Sequence, residues 1–200
     1  MKARSDDPEV IESFADLLLQ YGHGRTDAGR ALALLEPAVK RFPYHIGLRF
    51  SLAHAHRVLG NHGAAEATCG EIVRRHPAST RGRCELAWIH ERQGKLDQAR
   101  AELEAASRMA PFDPDLRIMQ ARFLMRHDRH EEALGRIGEG LERMPEAVAF
   151  REMAIDVQFE CGDEEGAVRT ARAGIEVHPE GAYPWFLLAD ALNRARRFAA

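Results

Sequence analysis

Cysteine is scarce in this chain, with Cys69, Cys84 and Cys161 as its only copies. The number is odd, the spacings are wide and there is no Cys-x-x-Cys, so neither a disulfide framework nor a zinc site is indicated. Free thiols suit a reducing compartment. Long apolar runs are also missing, and none approaches the ~20 residues that cross a bilayer. The opening MKARSDDPEV turns acidic at once and lacks the apolar core of a secretory signal. These absences predict a cytoplasmic protein without membrane contact. Lysine is rare and the net charge is −3 with histidine neutral, which argues against a general nucleic-acid binder.

Sets of residues that do chemistry are equally thin. No Ser/His/Asp set, glycine-rich phosphate loop or pair of carboxylates stands at a usable spacing. Histidine is plentiful, but His54 and His56 are two apart and point to different sides of a helix. His127 and His130 straddle an expected turn, and His56 and His90 share one core column. No metal, cofactor or catalytic residue is expected, and the chain by itself is not read as an enzyme.

What the sequence has instead is a period. Pro43, Pro77, Pro111, Pro145 and Pro179 stand 34 residues apart in four successive intervals. Ala31, Ala65, Ala99, Ala133 and Ala167 each lie twelve residues before one of them. Ala53, Ala87, Ala121 and Ala189 form a second small-residue column, broken by Ile155. Gly60, Gly94 and Gly162 mark a turn, with Asp128 in the remaining copy. A fixed period of this size is the sign of a stacked repeat. Small residues let two helices approach, a glycine or aspartate tolerates the left-handed end of the first helix, and proline stops the second.

This skeleton, seen most fully in Ala87, Gly94, Ala99, Ala106 and Pro111 with Leu86 and Leu103, resembles the tetratricopeptide repeat (TPR) family. The resemblance covers nearly the whole chain. It implies an all-α fold, a right-handed superhelical solenoid of stacked helical hairpins running over 1–200 as a single domain. The repeats fall at about 8–43, 46–77, 80–111, 114–145 and 148–179, with a partial one at 182–200.

Local signals refine the picture. Asp7 and Pro8 are a cap and a first helical residue, and Ile11, Phe14, Ala15 and Leu18 give the first helix one apolar stripe. The turn GHGRTD is about four residues longer than its counterparts. Pro37 inside the second helix predicts a bend or break near Ala33 to Glu36, since an interior proline costs roughly 3 kcal/mol. Gly140 and Gly174 replace alanine in the second helices of repeats four and five, which should make those repeats the softer ones. Trp185, Phe186, Leu187 and Leu188 are expected to lie short of cover, either because the chain continues beyond Ala200 or because this last helix docks on something.

The resemblance further implies that ligand contacts come from the second, fifth, ninth, twelfth and thirteenth positions of each repeat, on the first helices. In this chain the candidates are Phe50, His54, Arg57, Trp88, Arg92, Ile118, Arg122, Met125, Arg126, Asp156 and Phe159. Apolar residues ringed by arginine have the composition of a binding surface. The competing reading has Trp88 and Phe159 covering helix seams beneath solvated arginines. The lysine and asparagine pairs with which some relatives clamp a peptide's terminal carboxylate are absent, since those positions read Phe50/His54, Cys84/Trp88 and Ile118/Arg122.

A further column, Arg49, Arg83, Arg117 and Arg151, sits in the first turn of each first helix, where a cation opposes the helix dipole. Two accounts stay open. The stems cover neighbouring helices while the heads reach water or an acid, or the guanidiniums form a ladder that reads an acidic or phosphate-rich chain. The expected function is recognition of a protein or peptide carrying acidic and hydrophobic groups. The alternatives are a substrate-recruiting arm of a larger enzyme with its catalytic domain beyond residue 200, and self-association through the Trp185 helix.

Overall fold

The structure is a computed structural model that describes residues 7–198, with side chains described to Arg196. Among the described residues there are eleven α-helices and no strand. The chain divides into two compact units, Met1–Ala110 and Pro111–Ala200. The first holds α1 (Pro8–Tyr21), α2 (Arg25–Arg41), α3 (Ile46–Leu59), α4 (His62–Arg75), α5 (Thr80–Arg92) and α6 (Leu96–Met109). The second holds α7 (Pro114–Met125), α8 (His130–Arg143), α9 (Val148–Glu160), α10 (Glu164–Val177) and α11 (Ala182–Phe198). Within each unit, every helix packs on the one before it, and α1 also meets α3, α7 meets α9 and α9 meets α11.

The alanine columns explain this packing. Ala31, Ala65, Ala99, Ala133 and Ala167 are each 0% exposed, and Ala53, Ala87 and Ala121 are nearly so. Larger side chains fill the space between the close approaches. Leu35 and Leu48 join α1–α3, and Cys69, Leu86 and Ile89 join α3–α5. Ile155, Phe159 and Leu187 do the same for α9–α11. Turn chemistry follows the same period, with Gly60, Gly94, Gly162 and Asp128 all at positive φ, where a β-carbon is normally penalised. The even-numbered helices α2 to α10 are each closed by a cap residue that stands just before a column proline. These caps, Phe42, His76, Ala110, Met144 and His178, leave the helical region with ψ near 70°, because the pyrrolidine ring disfavours the helical region for its predecessor.

Asp7 accepts from the Glu9 N–H, and Pro8 opens α1. Other sequence-based expectations are corrected. The expected break at Pro37 does not occur, since helix α2 continues through it. Ala33 and Pro37 are both exposed, so the carbonyl that loses its partner faces water, while buried Leu35 and Ala38 hold the helix on its inner side. The GHGRTD turn is not long, because Arg25, Thr26 and Asp27 belong to α2. Asp27 folds back to accept the His23 N–H at 2.7 Å and the Arg30 guanidinium at 2.8 Å. The His23 bond first, and then Arg30, hold its carboxyl below the usual range. Phe14 is exposed rather than packed, whereas Leu187 is buried.

The arginine column is resolved in favour of local capping. Arg49, Arg83, Arg117 and Arg151 each donate to the carbonyl of the proline six residues earlier, Pro43, Pro77, Pro111 and Pro145, at 2.9, 3.4, 3.2 and 3.0 Å. Arg83 also pairs with Glu102 at 2.8 Å and Arg117 with Glu139 at 3.0 Å. In the last copy tryptophan takes over, with the Trp185 indole N–H donating to the Pro179 carbonyl at 3.2 Å. Each bond satisfies a carbonyl just past a helix end, where the backbone has no helical partner. These guanidiniums are turned onto the chain's own backbone.

Candidate functional site

Residues brought forward by the repeat positions fall into two groups, one in each unit. In the first unit Arg57 and Arg92 are already in contact with Trp88. Trp88 is half-buried against the Ala53, Cys69, Leu86 and Ile89 cluster. The Arg57 guanidinium lies 4.6 Å above its ring and that of Arg92 5.7 Å from it, with the His62 ring 6.3 Å away. Phe50 is buried and Arg81 lies 4.2 Å over its ring. Such cation–π stacking draws the cationic heads onto the aromatic faces. His54 is half-buried, and burial first, then the Arg57 charge, pushes its pKa down. This surface is a basic aromatic patch whose rings are already covered by cations.

In the second unit the same positions line a cleft of about 450 Å³ between α7, α9 and α11. Ile118, Arg122 and Met125 come from α7, Glu152 and Asp156 from α9, and Phe186, Asp190 and Arg194 from α11. Each set arises from the helical period, because positions three, four and seven apart share one face. The floor is apolar, with Met153, Ile155 and Leu187 buried beneath it. Phe186 stands 61% exposed at its edge, beside the Tyr183 ring at 5.8 Å.

The cleft is charged on both sides. Arg194 pairs with Asp156 at 2.7 Å and Asp190 at 3.7 Å, and it lies 4.1 Å over the Phe159 ring. Phe159 is thereby buried behind the guanidinium. The Tyr183 hydroxyl donates to Glu152. Arg122 is exposed and makes no ion pair among the described residues, while Arg126 is exposed outside the cleft lining. Ile118, Arg122, Met125 and Asp156 are thus brought together as the repeat positions implied. Phe186, Asp190 and Arg194 complete them, and only Arg194 lies outside the repeat positions. Its signal in the sequence was the i, i+4 spacing from Asp190.

Cys69 is buried and burial pushes its thiol up to about 12, so it carries essentially no thiolate at neutral pH. Among the described residues no group of three His, Cys, Asp or Glu side chains could hold a metal ion, and no helix is long and apolar enough to cross a membrane.

Comparison with known proteins supports the fold and places the family. A thermophilic TPR protein of Thermus thermophilus is 20% identical with a TM-score of 0.62, covering 93% of this chain and 99% of its own. YrrB, a TPR protein with an unusual peptide-binding site, is 17% identical with a TM-score of 0.58 over 95% and 94%. A tetratricopeptide repeat protein from Parabacteroides merdae is 15% identical with a TM-score of 0.67 over 96% and 75%. A search of curated proteins finds no match. The family model described as "Tetratricopeptide repeat" matches residues 19–80 and 84–148, together more than half of the chain. With the 34-residue proline period and the helical hairpins described above, that match means that the chain belongs to the tetratricopeptide repeat family.

Proposed function

We propose that the cleft of α7, α9 and α11 binds a segment of a partner protein through one large apolar side chain and an acidic group beside it. The family's fold is a scaffold for protein–protein contacts, which sets the class of partner. One observation carries the finer reading: the cleft pairs exposed apolar surface at Phe186 with a cation, Arg122, that has no ion-pair partner among the described residues. An apolar anchor on the ligand would cover Ile118, Met125 and Phe186. A ligand carboxylate would meet Arg122, whereas Arg194 is held by Asp156 and Asp190. A burial of this kind, rimmed by charge, concentrates binding energy in a few residues. Glu152, Asp156 and Asp190 would turn away a strongly acidic ligand, so the segment carries one acid rather than a run of them. The peptide-binding site of YrrB, a neighbour of the same fold, agrees with this class of ligand. In the first unit Phe50, His54, Arg57, Trp88 and Arg92 offer a second face, whose rings are already stacked by arginine.

Panning a peptide library displayed on phage against the full chain tests this. Enrichment of sequences with a large apolar residue near an aspartate or glutamate is expected. Binding of the selected peptides should fall at least about tenfold with Ile118→Asp, and about three- to tenfold with Arg122→Ala, the size of a single exposed charge contact or somewhat more. Lack of any enrichment, or peptides that bind the Ile118→Asp variant equally well, would remove the cleft as the site.

A further inference from the structure

The charged groups that line the α7–α9–α11 cleft differ in what already holds them. Two guanidiniums, Arg122 and Arg194, stand among three carboxylates, Glu152, Asp156 and Asp190. Glu152 accepts from the Tyr183 hydroxyl. Asp156 and Asp190 both face Arg194, at 2.7 and 3.7 Å. Asp156 comes from α9 and the other two from α11, so the guanidinium is fixed across a helix seam rather than along one helix. It also lies 4.1 Å from the centre of the Phe159 ring, which is buried behind it.

Two carboxylates and an aromatic face are the groups that recognise a guanidinium or an ammonium. In this cleft the cation so recognised belongs to the chain itself. The consequence is electrostatic. With Arg194 in place, the carboxylates of the lining outnumber the guanidiniums by one. Without it, Asp156 and Asp190 would face the ligand unanswered, and a ligand acid drawn to Arg122 would meet their repulsion. A ligand lysine or arginine would instead find two carboxylates and the uncovered Phe159 ring. One unit charge at this range in a partly dry cleft changes affinity by about tenfold.

We propose that Arg194 sets the charge preference of the cleft: by holding Asp156 and Asp190 it lets the cleft accept a segment with one acid and turn away a cationic one. The proposal rests on the cleft being the binding site. Arg194 acts through the two carboxylates, while the ligand's acid meets Arg122, so its part is that of a positioning residue that decides specificity. A merely structural tie between α9 and α11 has a different signature, because its loss would weaken all peptides alike and leave their charge preference as it was.

Panning a random peptide library displayed on phage against the full chain and against Arg194→Ala, Arg194→Met and Arg194→Lys tests this. Methionine keeps a stem near Phe159 without the charge, and lysine keeps the charge. Circular dichroism and melting temperature report that each variant folds. Selected sequences are then remade as matched pairs that differ only in carrying an acid or a lysine beside the apolar anchor. The natural chain and Arg194→Lys should prefer the acidic member. In Arg194→Ala and Arg194→Met the ratio of affinities should move toward the lysine member by about tenfold or more. An unchanged ratio in both would overturn the role of Arg194, and loss of the same peptides in Ile118→Asp would leave the cleft itself standing. A shift in Arg194→Ala that Arg194→Met does not share would also overturn it, since cover of Phe159 rather than charge would then be responsible. Peptides that bind Ile118→Asp as well as the natural chain would remove the cleft, and this proposal with it.

Discussion

At the scale of single residues, the arginine column shows how one repeated side chain can hold repeat boundaries together. Arg151 is 6% exposed and donates to the Pro145 carbonyl at 3.0 Å. Removing it leaves that carbonyl without its charged donor and opens a gap beside Gly174, whose absent β-carbon makes room for the Arg151 stem. Arg49 does the same for Pro43, but Arg75 also donates to that carbonyl at 3.3 Å. Arg151→Ala should therefore cost about 2–3 kcal/mol of unfolding free energy, and Arg49→Ala less than about 1 kcal/mol. Urea denaturation of the two variants side by side measures the difference, and equal costs would refute the capping account. The column was visible in the sequence as a 34-residue recurrence, but its destination was not. A guanidinium on a long stem can reach water, an acid or a carbonyl, and only the path of the turn before it brings the proline oxygen within reach. Trp185 makes the point again, because an indole in place of arginine keeps the same bond.

At the scale of the helix, composition and packing pull in opposite directions. Glycine within a helix costs up to ~1 kcal/mol against alanine, which marks Gly140 as a weak point of α8. In the fold, a β-carbon at Gly140 would lie 3.0 Å from the ring of Phe150, which is fully buried. Overpacking of that kind costs about 1–3 kcal/mol, so Gly140→Ala should lower the melting temperature despite its better propensity. Gly135, on the same helix, has nothing within 4 Å of a β-carbon, and Gly135→Ala should raise stability by roughly 0.5–1 kcal/mol. Calorimetry of both variants separates propensity from packing, and a rise for both would show that the Phe150 ring gives way. Pro37 illustrates the same competition with the opposite result. Its local cost is real, but it falls on the exposed side of a helix whose buried side is fixed by Leu35 and Ala38, and tertiary packing wins.

At the scale of the whole molecule, ionisation ties these local environments to stability. Burial pushes His54 and His56 down, so in the folded chain they stay neutral to lower pH than in the unfolded chain. As pH falls below about 6.5 the unfolded chain takes up those protons first, and stability declines. The carboxyls of Asp27, Glu66 and Glu71 are also lowered, by the His23 N–H, by Gln93 with Lys95, and by Arg74 with Arg75 respectively. Their contribution is present above about pH 4 and is lost as acidification continues. Thermal melts across this range should fall in two stages, and a His54→Gln/His56→Gln variant should flatten the upper one. A two-stage fall unchanged in that variant would assign the upper stage elsewhere. The sequence by itself determined the helical hairpins, their period, their turn residues and the alanine faces on which they pack, because each of these is a short-range steric choice repeated every 34 residues. It also placed Ile118, Arg122, Met125 and Asp156 on faces of the kind that meet. Only the tertiary structure decided that these residues open into a cleft in the second unit while Phe50 and Phe159 lie beneath arginines. The reason is physical: whether an apolar side chain on a helix is core, cleft or open surface depends on which neighbour comes to lie over it, and that neighbour is set by packing at a distance along the chain.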